Sequence, residues 1–401
     1  MKKLLAMIML AVGSTFCSFA NITEAMLRQL IAGNNGKLNL CHRGLNINDI
    51  RLIASMLQDN QSITELYLNN NNIDIESARF IADALKANKT LTKLYLDDNC
   101  IGAVGVRFIA NALETNTTLM VLGLKNNNIG VEGAKAIADV MKANKTLTEL
   151  YLGNNNIDAY LTIRGWNVDN WGTKFIADAL KTNTTLTNLD LTWNSIGDKG
   201  ARRIADALGR NTTLKILDLA WNCVGSEGAN FVANALETNT VLTFLRLEGN
   251  RIGSEGANFV ANALKKNKTL VHLVLSGNGI DNVGAGLIAD ALKVNSALTH
   301  LELRNTLITR EGAEILVRTL QMDPRRTNVE LRNHFVIRKI WDDQKTNSKQ
   351  VTLVLDPYIL TEVGKTAEER PKNATEGMKR PLNPGGADTE DSNPSKKSNL
   401  E

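Results

Sequence analysis

No proline occurs in the first 323 residues; all six (Pro324, Pro357, Pro371, Pro381, Pro384 and Pro394) follow. Proline removes a backbone donor that helices and paired strands both use, so a run this long without it suits a regular array of the two. Cysteine is also scarce. There are four in 401 residues, and Cys17 falls in the N-terminal address segment described below. The remaining Cys41, Cys100 and Cys223 are odd in number and widely spaced, which excludes a disulfide scaffold. Histidine is limited to His42, His272, His300 and His334, with no Cys/His cluster at zinc spacing. Walker and G-x-S-x-G motifs are absent, and no residue is assigned as catalytic, cofactor-binding or metal-binding. No charge sign dominates: 46 Lys+Arg face 42 Asp+Glu, a net +4. Removal of Lys2 and Lys3 with the address segment would leave about +2. That balance gives no reason to expect nucleic acid or an anionic membrane surface as a partner. At 43% apolar and 22% charged, the composition excludes a mainly disordered, collagenous or polytopic membrane chain.

The N-terminus has the layout of a bacterial secretory signal peptide. Met1-Lys2-Lys3 is basic, Leu4 to Val12 is apolar, and Ser18 and Ala20 stand three and one before a cut. The expectation is cleavage after residue 20, a mature chain beginning at Asn21, and no stable membrane insertion afterwards. Bulky Phe16 argues against a lipoprotein signal built on Cys17.

What fills the middle is a repeat. Leu66, Leu94, Leu122 and Leu150 are spaced by 28 residues, as are Leu189, Leu217, Leu245, Leu273 and Leu301. The step from Leu150 to Leu189 is one period plus an insertion of eleven, residues 159–169. The consensus is L-T-x-L-x-L-x-x-N-x-I-G-x-x-G-A-x-x-I-A-x-A-L-x-x-N-x-T. Leu-x-Leu alternates with period two and reads as a short strand; the later Ala, Ile, Ala and Leu recur at helical spacing. One strand and one helix per unit, repeated, forms a right-handed coil whose units bury their apolar sides only against neighbours.

This pattern resembles the leucine-rich repeat family, in its ribonuclease-inhibitor-like class. The resemblance covers residues 38–325 as ten repeats, with degenerate copies near Leu38 and Leu298. It implies an α/β right-handed solenoid, a horseshoe with a parallel sheet on the concave face and helices on the convex face. It also implies a buried asparagine ladder at Asn71, Asn99, Asn127, Asn155, Asn194, Asn222, Asn250 and Asn278. A second recurrent asparagine, as in Asn88-Lys89-Thr90 and Asn116-Thr117-Thr118, spells a glycosylation sequon. It stands just past each helix, where Asn favours a helix-ending conformation.

Residues 21–37 are expected to form an N-terminal cap helix, because Asn21-Ile22-Thr23-Glu24 resembles a capping box. Residues 326–363 read as a C-terminal cap with strands near 329–331 and 351–355. Residues 364–401 are expected to be a disordered tail, rich in Pro, Gly, Ser and charge. Cys100 and Cys223 occupy equivalent places four repeats apart, about ~20 Å at strand spacing, against the ~7 Å a disulfide tolerates. Three free thiols, mostly packed in turns, are therefore expected.

Specificity should lie on the open face of the strands. Between the paired leucines stand Tyr67, Tyr95, Gly123, Tyr151, Asp190, Asp218, Arg246, Val274 and Glu302. Two positions earlier come Phe244, His272 and His300 in the later repeats. His272 and His300 should lie one strand spacing apart, as solvated or partner-contacting groups rather than a metal pair. Trp193 and Trp221, just before the ladder asparagine of adjacent repeats, should stack. The insertion adds Tyr160 and Trp166, with Trp171 directly after it, and these are expected on the same rim.

The candidate partner-binding residues are thus Trp193, Trp221, Trp166, Trp171, Tyr160, Tyr67, Tyr95, Tyr151, Asp190, Asp218, Phe244, His272 and His300. The expected function is a non-enzymatic, secreted or periplasmic scaffold that binds a protein partner and needs no cofactor. The alternative is a GTPase-activating-type regulator or a host-directed effector acting on a host protein.

Overall fold

The computed structural model describes residues 22–158, 161–162, 165–166, 170–304, 306–321, 329–330 and 351–355. Residues 1–21, with the expected signal segment, most of residues 326–363 and all of residues 364–401 lie outside the described residues. Ten strands of three or four residues recur once per repeat. They are β1 (Lys37–Asn39), β2 (Glu65–Tyr67), β3 (Lys93–Tyr95), β4 (Val121–Gly123), β5 (Glu149–Tyr151), β8 (Asn188–Asp190), β9 (Ile216–Asp218), β10 (Phe244–Arg246), β11 (His272–Val274) and β12 (His300–Leu303). All pair in parallel and in register, so Leu66, Leu94, Leu122 and their counterparts form one row across the sheet. Two further strands, β14 (Val351–Leu355) and then β13 (Val329–Glu330), extend the sheet in parallel beyond β12. The architecture is a leucine-rich-repeat solenoid: one open parallel sheet, with a helix between each successive pair of the ten repeat strands.

The leucine row and the Ala, Ile and Leu positions of the helices form one continuous core, almost wholly removed from solvent. Burying each leucine contributes ~1.5–3 kcal/mol relative to exposure. Since each helix packs on the next helix rather than on distant segments, every unit depends on its neighbours. Before the array, helix Glu24–Gly33 starts at Thr23, whose hydroxyl accepts a hydrogen bond from the Met26 N–H. None of the described helices is long and apolar enough to cross a membrane.

Asparagine holds the two corners of each repeat. At the strand-to-helix corner, Asn71 Oδ1 accepts from the N–H groups of Arg43 (3.0 Å) and Leu45 (3.3 Å) in the preceding repeat. Its Nδ2 donates to the carbonyls of Leu40, Leu68 and Asn69. Asn222 does the same with Asn194, Ile196, Leu191 and Ala220. A buried backbone group without a partner is costly, and these amides supply partners that the turn cannot.

The second corner corrects the expectation for the sequon asparagines. Asn88 is extended (φ −66°, ψ 136°), not in the left-handed helix-ending conformation. Its role is a second ladder: Nδ2 donates to the carbonyl of Leu57 one repeat earlier, and Oδ1 accepts from the N–H groups of Thr90 and Leu91. Asn116, Asn144, Asn183, Asn211 and Asn267 repeat this arrangement and are buried. The nitrogen that a glycan would need is engaged at every one.

The cysteines are free, but the expectation of packing is corrected for two of three: Cys100 and Cys223 are exposed and Cys41 is half-buried. Cys100 and Cys223 directly follow the ladder asparagines Asn99 and Asn222 on the exposed outside of the turn, whereas Cys41 stands two residues before Arg43, the ladder position of the first repeat.

Candidate protein-binding face

Because side chains alternate across a strand, the residues flanking each buried leucine emerge on the face without helices. That face carries three aromatic clusters in order along the array. Tyr67 and Tyr95 stack at 4.8 Å with rings 10° from parallel. The Tyr67 hydroxyl donates to Glu65 (2.7 Å), and Lys37 and Lys93 both pair with the same carboxylate. The tyrosine hydrogen bond, then the two ammonium groups, hold Glu65 down at about 2 against the opposing effect of burial, while Tyr67 is pushed up to about 12 by its bond to Glu65. Tyr151 donates to Glu149 and receives a bond from Asn188; burial, then Glu149, raises its phenol.

At the far end, Phe244 meets His272 at 4.6 Å, and His272 stacks on His300 at 5.0 Å. His272 Nε2 lies 3.3 Å from Glu302. Burial lowers the His272 pKa more than Glu302 raises it, so the ring is held neutral at ordinary pH. Among the described residues no group of three His, Cys, Asp or Glu side chains is placed to hold a metal ion.

Between these clusters lie the acids and the tryptophans. Lys125 Nζ pairs with Asp190 and lies over the Tyr151 ring. Arg246 is drawn to Glu248 and reaches Asp218 only at 3.5 Å. Burial, with a further push from Asp190, raises Asp218 to about 6.

Trp193 and Trp221 stack at 4.8 Å, 7° from parallel, and are 55% and 41% exposed. Their backbones reveal what the sequence pattern concealed. Both lie in the left-handed region, at φ 56° and 59°. The same turn position holds His42, Asn70, Asp98, Asn126 and Asn154 in earlier repeats and Gly249 and Gly277 in later ones, all at positive φ. Each N–H there donates to the carbonyl of the following repeat's turn, as Trp193 does to Ala220 and Trp221 to Glu248. The backbone therefore demands a residue tolerant of left-handed geometry, which explains Asn, Asp and Gly. A bulky aromatic in that region costs roughly 1–2 kcal/mol. Gly249 accommodates the stack: a Cβ there would fall 2.3 Å from the Trp221 ring.

Of the three aromatics expected on this rim from the insertion and its edge, only the Trp171 side chain is described. Trp171 begins helix Trp171–Leu180 and its ring meets Phe175 (6.3 Å) and Lys174 on its own helix, so it does not join Trp193 and Trp221. The reason is the helical period, which points positions i and i+4 along one face. Tyr160 lies outside the described residues. Of Trp166 only the backbone is described, in an antiparallel pair of β6 (Leu161–Thr162) with β7 (Gly165–Trp166). The base of the insertion is closed by Asp158, which accepts from the Thr173 N–H (3.0 Å) and hydroxyl and from Asn170 Nδ2. Nothing in the repeat pattern signalled this clamp, because both residues lie at the edges of the inserted segment.

A family model described as Leucine Rich repeat matches residues 59–82, 87–110, 115–138, 143–159, 182–205, 210–233, 238–261 and 266–289. No curated protein matches. Among solved structures, leucine-rich repeat-containing protein LegL7 from Legionella pneumophila is 20% identical over 71% of this chain and 86% of its own, with a TM-score of 0.47. The leiomodin-1 actin-binding site 2 structure is 25% identical over 39% of this chain and 86% of its own (TM-score 0.32). The tropomodulin C-terminal domain from Caenorhabditis elegans is 20% identical over 40% and 92% (TM-score 0.33). With a 28-residue strand–helix unit stacked in register, a buried asparagine at eight successive turns and the family model recurring between residues 59 and 289, the chain belongs to the leucine-rich repeat family.

Proposed function

We propose that this protein is an exported binding scaffold, acting by recognition rather than catalysis, whose principal contact with a protein partner is the open sheet face around Trp193 and Trp221. One observation carries this reading. Two indoles, 55% and 41% exposed, occupy backbone sites where Asn or Gly would be less strained. Exposed, stacked aromatics on a rigid support suit an interface anchor: little side-chain freedom is lost on binding, and tryptophan is enriched among residues that dominate interface energy. The tyrosine pair on one side and the Phe244–His272–His300 row on the other extend the surface. Export is supported by the basic, apolar and small-residue layout of residues 1–20.

The test is affinity capture with the mature chain. The double variant Trp193→Asn/Trp221→Asn should weaken capture of the main partner more than tenfold, at ~2 kcal/mol or more per anchor. Unchanged capture by a folded double variant would move the contact surface elsewhere. For export, intact-mass measurement on protein from its native cell should place the N-terminus at Asn21; a chain retaining Met1 would refute this part.

A further inference from the structure

The stack leaves one face of Trp193 uncovered. Trp221 covers the side toward the next repeat. On the other side, toward the preceding repeats, lies a hollow of about 430 Å³ lined by Lys125, Asn126, Gly153, Asn154, Thr192 and Trp193. Its size falls within the usual range of small-ligand sites. Its floor exists because residue 153 has no side chain: a Cβ there would sit 2.4 Å from Thr192 Oγ1.

The lining restricts what can enter. Four of the six residues are polar, which disfavours a purely apolar group. No carboxylate lines the space, which disfavours a cation. An anion is disfavoured in turn, because Lys125 is already paired with Asp190 and its backbone N–H is taken by Asp97. What remains is a neutral ligand with one flat apolar face for the indole and hydrogen-bonding groups around its edge.

Those groups have partners waiting. Among the described residues, no hydrogen bond engages Thr192 Oγ1 or Asn154 Oδ1. Asn154 Nδ2 is turned to Asn126, and the Thr192 N–H to Asp190. The two free oxygens come from successive turns, Thr192 beside the indole itself and Asn154 from the turn before it. Hydroxyl groups radiating from a saturated ring match that distribution better than the in-plane edge of a nucleobase. The C–H face of such a ring carries partial positive charge toward the negative face of the indole.

We infer that the hollow beside Trp193 is a carbohydrate subsite that stacks one neutral pyranose ring on the open face of the indole. The sugar's hydroxyls are met by Thr192 Oγ1 and Asn154 Oδ1. This goes beyond the protein-binding reading and does not need it, although both use Trp193.

The test uses the full mature chain. Glucose, N-acetylglucosamine and mannose oligosaccharides are titrated separately, with saturation-transfer NMR on the sugar C–H protons and tryptophan fluorescence as readouts. Adenosine is the control ligand. At least one oligosaccharide should bind, with saturation strongest on the protons of one ring face. Binding should weaken more than tenfold in Trp193→Asn and in Gly153→Val, which fills the floor while leaving the indole in place. Tyr67→Phe, in the tyrosine cluster, should bind as the parent does. No saturation transfer from any sugar, equal binding by folded Gly153→Val, or adenosine displacing the sugar would overturn the inference. Partner capture is measured on the same variants. Capture that depends on Trp193 without sugar binding would leave the protein-binding reading intact and remove only the subsite.

Discussion

Two neighbouring columns of the turns obey opposite rules. The buried column, from Asn71 to Asn278, is asparagine in eight successive repeats, and each residue is at most 7% exposed. The column beside it, from His42 to Gly277, holds His, Asn, Asp, Trp and Gly. The first is constrained by its side chain, because each amide completes backbone hydrogen bonds of two repeats at once. The second is constrained only by a positive φ, which leaves the side chain free for other work. Uniformity along this solenoid therefore marks structure, and departure from the geometrically favoured residue marks a place where something else is required.

The largest expected effect breaks the first column. Asn222→Ala leaves the N–H groups of Asn194 and Ile196 without partners and takes one of two donors from the carbonyl of Leu191. A cost of ~1–3 kcal/mol per buried unsatisfied group is expected. The matching change in the second column is Asn126→Gly, since alanine would add strain at its φ of 53°. It should stay within ~0.5 kcal/mol of the parent. Denaturant unfolding compares the two, and equal midpoints would remove the distinction between the columns.

The second sequon ladder makes a related prediction of similar sign. Asn211→Ala removes donations to Leu180 and Asn183 and acceptance from Thr213 and Leu214. It should lower the unfolding free energy by ~1–3 kcal/mol, whereas Thr240→Ala, at a place where the threonine makes no such bonds, should be close to neutral. A neutral Asn211→Ala would return these asparagines to the status of simple helix terminators.

A smaller effect sharpens the second column. Trp193→Asn restores the residue type of Asn126 and Asn154, trading relief of ~1–2 kcal/mol of left-handed strain against a stacking contribution of ~0.5–1.5 kcal/mol. The unfolding midpoint should hold or rise slightly. A clear fall would show that the indole braces the turn, and would weaken its assignment as a contact residue.

Much of the fold was legible because a period of 28 residues repeats the same strand and helix signals until they are unambiguous. The row of Leu66 to Leu301 and the ladder asparagines both follow from that spacing, as does the register that stacks Trp193 on Trp221. What escaped the sequence depends on single backbone angles and on interruptions of the period. Positive φ at Trp193 cannot be read from a tryptophan, although Asn, Asp and Gly at the equivalent places carried the signal. The Asp158–Asn170 clamp arises where the repeat is broken, so no neighbouring copy predicts it, whereas the helical setting of Trp171 matches that of Glu132 and Lys199 in the adjoining repeats. The sequon asparagines misled because a helix-ending residue and a repeat-bridging amide occupy the same place in the sequence.

The smallest effects come from two carboxylates on the same face that titrate in opposite directions. Glu65, bonded to Tyr67 and paired with two lysines, is lowered from an ordinary 4.5 to about 2. Its contribution is present above the unfolded value and is lost as pH falls from about 4.5 to about 2. Tyr67→Phe should shrink that loss, as read by unfolding midpoints across this window and by the carboxyl carbon shift of Glu65. Asp218 is buried near Asp190 and raised from an ordinary 3.8 to about 6, so the folded state holds its proton more tightly than the unfolded chain does. Stability on its account falls as pH rises from about 4 to about 6, and the deficit persists above that. Asp218→Asn keeps an oxygen for the Ala220 N–H, 3.0 Å away, and removes the buried charge. The variant should unfold at a slightly higher denaturant midpoint than the parent at pH 7, and at the same midpoint below pH 4. A lower midpoint at pH 7 would mean that Arg246, despite its engagement with Glu248, supplies Asp218 with a pairing strong enough to outweigh burial.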